Sequence, residues 1–135
     1  MMNQKIMAII KSDKGHFLLL KTNPKTMKQE IWWVVTGGVE KGESEEDAVR
    51  REIEEGTQLE ILKIEPTDYF CEYEWPKDSG KMHHEKAFLV RVKEAPVKIT
   101  RWEHLEYKWL NKVEFLKMID WEDDIKKLQK MISKN

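Results

Sequence analysis

Apolar residues in the first third of the chain come in short runs rather than helical stripes. Residues 5–11 contain Met7-Ala8-Ile9-Ile10 and residues 16–21 contain Phe17-Leu18-Leu19-Leu20. Short apolar runs bounded by turn residues read as buried strands. The intervening Ser12-Asp13-Lys14-Gly15 turn makes the two a hairpin. Residues 22–30 are polar, contain Pro24 and read as a loop. Ile31-Trp32-Trp33-Val34-Val35 reads as a short buried strand ending in Thr36-Gly37-Gly38. Further strands are predicted over 59–64, 68–75, 81–92 and 107–110, with a Pro76-Lys77-Asp78-Ser79-Gly80 turn before the third. Helices are predicted over 112–118 and 121–133, where Ile125, Leu128 and Ile132 share one face. Strands, a helix, more strands and closing helices define an α/β or α+β class, with a mixed sheet between helices.

The central helix follows the double glycine. Ser44 with Asp47 three residues on resembles a capping box, and Gly56 is placed to stop the helix. With Ala48 at zero on a helical wheel, Val49 lies at about 100° and Ile53 at about 140°. Glu52 then falls at about 40°, inside the apolar arc, and Glu55 at about −20°, on its edge. A carboxylate inside a core-facing arc is costly unless it is paired or binds a metal. Glu52 and Glu55 are three apart and share a face, so they suit a Mg²⁺ ion that also binds phosphate oxygens. The pattern alone favours a charged, solvated helix, because Glu43, Glu45, Glu46, Asp47, Arg50, Arg51 and Glu54 crowd the same stretch.

Composition narrows the function classes. In 135 residues, 24 Lys and Arg oppose 25 Asp and Glu for a net charge of −1, and 40% of residues are apolar. The length and apolar share suit one domain over residues 1–135 with a real core. The balanced charge argues against a nucleic-acid-coating protein. No apolar run approaches the ~20 residues of a bilayer span, and no secretory signal is read at the N-terminus. Cys71 is the single cysteine, so an internal disulfide is excluded and a reducing, cytoplasmic setting is expected.

Gly37, Glu43, Arg51, Glu52, Ile53, Glu55 and Leu59 follow the spacing of the Nudix box, G-x5-E-x7-R-E-U-x-E-E-x-G-U, where U is bulky and aliphatic. The chain thus resembles the Nudix (MutT-like) hydrolases. Residues 32–42 and 103–110 are similar to segments of the bacterial dATP/dihydroneopterin triphosphate pyrophosphohydrolase branch. The box departs from the pattern at two positions: Gly56 stands for the second Glu of the pair, and Gln58 for the closing glycine. The resemblance implies a Nudix fold, an α/β/α sandwich around a mixed sheet. It also implies Mg²⁺-dependent (or Mn²⁺-dependent) attack of water on a nucleoside or pterin triphosphate or a related nucleoside diphosphate compound. Glu52 and Glu55 would hold the metal, or one of them would steer the water. Arg51 would orient a box carboxylate, Glu43 would brace the loop, and Gly37 and Gly38 would let backbone approach the phosphates. Glu103 corresponds to a late metal ligand or base in relatives; it equally reads as a surface acid.

Other residues admit two readings. Trp75 and Trp102 lie beside loops and are able to stack a base or to cover core edges. Trp32, Trp33 and Trp109 read as core. His83 and His84 point to opposite strand faces, so at most one would meet a phosphate. The implied partner is a small nucleotide-type molecule, with no nucleic-acid polymer and no membrane, and the protein would be a monomer or homodimer. The competing functions are a dinucleoside polyphosphate hydrolase and a Nudix-like nucleotide-binding module without catalysis.

Overall fold

The computed structural model describes residues 2–27 and 29–133. Among these residues seven strands form one mixed sheet: β1 (Met2–Ser12), β2 (Phe17–Thr22), β3 (Trp32–Trp33), β4 (Val35–Gly38), β5 (Ile61–Glu74), β6 (Met82–Val92) and β7 (His104–Leu110). Among the described residues, four helices accompany them: α1 (Pro24–Met27), α2 (Glu45–Gly56), α3 (Lys112–Met118) and α4 (Ile125–Ser133). The strands run β3-β2-β1-β6-β5, with β4 on β1 and β7 on β2.

Alternation along β1 builds two cores. Ile6, Ala8 and Ile10 face α2, where they meet Ala48, Val49 and Ile53. Met7 and Ile9 face the other way, toward Phe115, Leu128, Met131 and Ile132 of α3 and α4. A strand buried on both faces carries a continuous apolar run, which explains Met7-Ala8-Ile9-Ile10. The result is an α/β/α sandwich around a mixed sheet. None of the described helices is long and apolar enough to cross a membrane.

Four elements differ from the sequence reading. The 59–64 and 68–75 segments are one strand, β5, whose pairing with β6 shifts register between Pro66 and Phe70. Proline cannot donate to a ladder, so it sits on this edge strand at the irregularity. The 31–35 strand divides at Val34: β3 pairs with β2, whereas β4 pairs with β1 and includes Thr36, Gly37 and Gly38. The polar loop contains α1. The last helix begins at Ile125 rather than residue 121, and Trp121 instead stacks on Trp33 with ring centroids 5.3 Å apart. The β1–β2 hairpin exists but is registered at Lys11↔Phe17, while β6 runs parallel to β1 from Met2↔Met82 to Ser12↔Val92.

Helix α2 starts as the sequence predicts: Ser44 Oγ accepts from the Asp47 amide at 3.1 Å. Its end explains one departure from the box. The helix runs through Gly56, Thr57 is the C-cap, and Gln58 has φ +59° while its amide donates to the Ile53 and Glu54 carbonyls. This is the left-handed position that follows a helix and favours glycine. Gln58→Gly is therefore expected to stabilise the protein by about 0.5–1 kcal/mol, the steric relief outweighing the greater freedom of glycine in the unfolded chain. Equilibrium urea unfolding of both proteins measures it.

Candidate active site

The loop from β4 to α2 is held by one guanidinium. Arg51 Nε and Nη2 donate to the two carboxylate oxygens of Glu43 at 2.9 and 3.0 Å. Nη2 also donates to the Gly38 carbonyl at 2.8 Å, and Nη1 donates to Glu52 Oε1 at 2.7 Å. Glu40 and Glu55 complete the ring of acids at 3.8 and 3.7 Å. A planar, always-charged fork suits this role, because it binds a carboxylate bidentately and still has donors to spare. Glu43 in turn accepts from the Glu40 amide at 3.0 Å. The Arg51 hydrogen bonds hold Glu43 below the ordinary carboxylate range, helped by that amide, and Glu43 and Glu52 hold Arg51 above its ordinary value.

Glu52 is the acid that the fold treats differently. Its side chain lies across Gly37: a Cβ on Gly37 would meet Glu52 Cδ at 2.2 Å and Oε1 at 2.3 Å. Only a glycine allows this approach, which gives the first position of the box a physical meaning. Burial pushes the Glu52 carboxyl up; Arg51 opposes this, and the charges of Glu55 and Glu103 add to the rise. Three acids from two distant stretches of sequence thus act on one another's charge.

Glu103 lies on the turn before β7, and that turn is tied to the segment around α1. The Asn23 amide donates to the Glu103 carbonyl at 2.9 Å, Asn23 Nδ2 donates to the Arg101 carbonyl at 2.7 Å, and the Thr26 hydroxyl donates to the Trp102 carbonyl. His104 follows, buried, and its burial lowers its imidazole pKa.

The donor set fits a hard divalent cation: it is all carboxylate oxygen, and a partly buried acid feels the charges of two more acids. Among the described residues, no three acids, histidines or cysteines are gathered closely enough to enclose an ion by themselves. Mg²⁺ ordinarily takes one or two protein carboxylates and fills the rest of its shell with water and substrate oxygens. Position 56 is open to a further ligand. Gly56 is helical, and a Cβ there meets no atom within 4 Å. It is four residues from Glu52, on the same face. Gly56→Glu is expected to tighten Mg²⁺ binding about tenfold, since added carboxylate charge strengthens a hard-cation site. Calorimetric Mg²⁺ titration checks this, with Gly56→Ala as the control that gains helix stability without the carboxylate.

The sheet's other face holds a cleft of about 630 Å³. Trp33, Tyr69, Tyr73, Trp75 and Trp121 line it, with Lys5, Met7, Thr36, Cys71, Glu85, Thr22, Thr26 and Gln29. Thr36 faces the cleft while its neighbour Gly37 lies under Glu52, so adjacent β4 residues serve the two faces. Trp75 is thus beside the cleft, whereas Trp102 stands 71% exposed and is not among its lining residues. Trp32, Trp33 and Trp109 are half-buried and pack against the two cores. His83 bonds the Trp75 carbonyl at 2.8 Å; His84 meets Glu72 at 3.0 Å and stacks on Phe70. Burial raises the Cys71 thiol pKa.

Lys5, Tyr73 and Glu85 belong to no motif, although the sequence carries a signal for two of them. Glu85 falls in phase with Ala87 and Leu89, and Lys5 with Met7 and Ile9, so each puts a charge in an apolar alternation.

The chain belongs to the Nudix family: it matches the NUDIX domain over residues 1–130. Among solved structures it is similar to the E. coli dihydroneopterin triphosphate pyrophosphohydrolase, at 21% identity and a TM-score of 0.75, covering 98% of this chain and 96% of that one. A MutT protein from Methanosarcina mazei Go1 matches at 24% identity and TM-score 0.73, covering 98% and 93%. A C. elegans Ap4A hydrolase matches at 22% and 0.73, covering 98% and 99%. Among curated proteins none matches.

Proposed function

We propose that this protein is a Mg²⁺-dependent pyrophosphohydrolase of a nucleoside or pterin triphosphate or a related nucleoside diphosphate compound, acting in the cytoplasm. The observation that carries the reading is Glu52: a partly buried carboxylate, seated over a glycine, gripped by Arg51 and faced by Glu55 and Glu103. A folded chain tolerates such an arrangement most readily where a cation is to be bound.

Glu52 and Glu55 would hold Mg²⁺, with Mn²⁺ as substitute and Glu103 as a third ligand or as the base for water. The bound ion would neutralise phosphate charge and lower the barrier to in-line attack. Arg51 fixes the Glu52 carboxylate in place and, being saturated with acids, is a positioning residue. Gly37 seats the Glu52 side chain, and Gly38, with open space where a Cβ would stand, would let phosphate oxygens approach the end of β4. The substrate ring enters the aromatic cleft beside Trp75, and the phosphates pass the end of β4 toward Glu52. Water adds to one phosphorus, the bridging P–O bond breaks, and the leaving phosphate group takes the proton given up by the water. Phosphate and pyrophosphate release from a panel of nucleoside triphosphates, dinucleoside polyphosphates and a pterin triphosphate, with and without Mg²⁺, tests the reading. Gly56 favours a second reading, a nucleotide-binding module without turnover; binding without release in that panel would select it.

A further inference from the structure

The aromatic cleft is lined by charges that phosphate hydrolysis does not use. Glu85 is 5% exposed on the sheet face that also carries the buried Met7, Ala87 and Leu89. Its Oε1 accepts from the Tyr73 hydroxyl at 2.7 Å, and Lys5 Nζ stands 3.9 Å away. Lys5 and Glu85 are Cα partners across the parallel β1–β6 ladder, so both side chains enter the cleft from one level. An ionised carboxylate has about four acceptor sites, and among the described residues the Tyr73 hydroxyl donates to one of its oxygens, with the Lys5 ammonium farther off. Burial pushes this carboxyl up, against the Tyr73 hydroxyl and the charges of Lys5 and His83, which pull it down.

We propose that Glu85 and Lys5 read the edge of a flat ring bearing an oxo group, a ring N–H and an exocyclic amino group in sequence, the 2-amino-4-oxopyrimidine edge shared by guanine and the pterins. This deepens the proposed function by naming the ring class, and it rests on the reading that the cleft holds the substrate ring. Glu85 accepts from the ring N–H and the amino group, while Lys5 donates to the oxo group. Ammonium beside carboxylate is the complement of that acceptor-donor-donor run. Adenine sets a ring lone pair against the carboxylate, uracil sets a second oxo group there, and hypoxanthine leaves one acceptor unmet. Tyr73 fixes the Glu85 carboxylate, and Trp33, Tyr69 and Trp75 supply ring faces for stacking.

The test is calorimetric titration of GMP, IMP, AMP, UMP and neopterin into the metal-free protein and into Glu85→Gln. GMP or neopterin is expected to bind at least about tenfold tighter than IMP, AMP and UMP, because a site built for polar groups rejects analogues that lack them. Glu85→Gln is expected to weaken that ligand about 10- to 100-fold and to leave AMP within about twofold. Tighter binding of GMP identifies a nucleotide source, and tighter binding of neopterin a pterin source. Equal affinities across the wild-type series would overturn the assignment without any variant, as would an equal loss for every ligand in Glu85→Gln. Since no turnover is measured, a selective but inactive protein would uphold this assignment and remove the pyrophosphohydrolase reading instead.

Discussion

Glu52→Gln is expected to lower Mg²⁺-dependent phosphate release by at least about 100-fold, the scale of losing one preorganised charged group at a reacting centre. The fold is expected to survive. The amide keeps the size of the side chain, and its oxygen still accepts from Arg51 Nη1, now 2.7 Å from Oε1. Linkage gives the sign of the stability change. Burial raises the folded-state carboxyl of Glu52 above its unfolded value, so its contribution is favourable at low pH and is lost as pH rises through the folded value. At neutral pH the charge opposes folding, and removing it leaves the melting temperature unchanged or higher. Steady-state rates and thermal melting at pH 7 check both halves. Full Mg²⁺-dependent turnover in the variant would remove Glu52 from the chemistry.

Gly37→Ala is expected to cost as much activity as Glu52→Gln without adding to it. The new methyl would occupy space 2.2 Å from Glu52 Cδ and 2.6 Å from Cγ, closer than side-chain carbons approach. What must give way is a flexible side chain rather than backbone, so stability is expected to fall by no more than about 1 kcal/mol. Glu52 would swing off β4 and weaken its 2.7 Å contact with Arg51, losing the placement on which metal binding would depend. Two substitutions that break one arrangement are not additive. The double variant is therefore expected to match the weaker single variant in rate, and a double-mutant cycle measures this. Rates that multiply would mean that Gly37 acts apart from Glu52.

The sequence reveals the box because its spacing is local. Gly37, Glu43, Arg51 and Glu52 lie within one loop and one helix, and the structure gives each a contact that the motif leaves implicit. Ser44 is legible for the same reason, since a cap is a relation across three residues. Glu103 is harder to read: its relation to Glu52 depends on the β2–β7 pairing and on Asn23, and neither leaves a local mark. The cleft is harder still, as Lys5, Tyr73 and Glu85 converge only through the β1–β6–β5 ladder. The merging of β5 follows from its pairing with β6 across Pro66, whereas a local reading sees only a strand breaker. The late start of α4 is likewise tied to a distant partner, since Trp121 lies before the helix and stacks on Trp33.

Strand β4 gives Thr36 to the cleft and Gly37 to the carboxylate seat, one residue apart on opposite faces. The period of two in a pleated strand therefore separates two kinds of inheritance. Substitutions at one parity of β1, β4, β5 and β6 can drift toward a new ligand while the other parity keeps the acid seat intact. A single-residue insertion or deletion in β4 would exchange both sets at once. Descendants of this chain can therefore diversify by point substitution on the cleft face, whereas changes of length between Val35 and Gly38 would extinguish both capacities together.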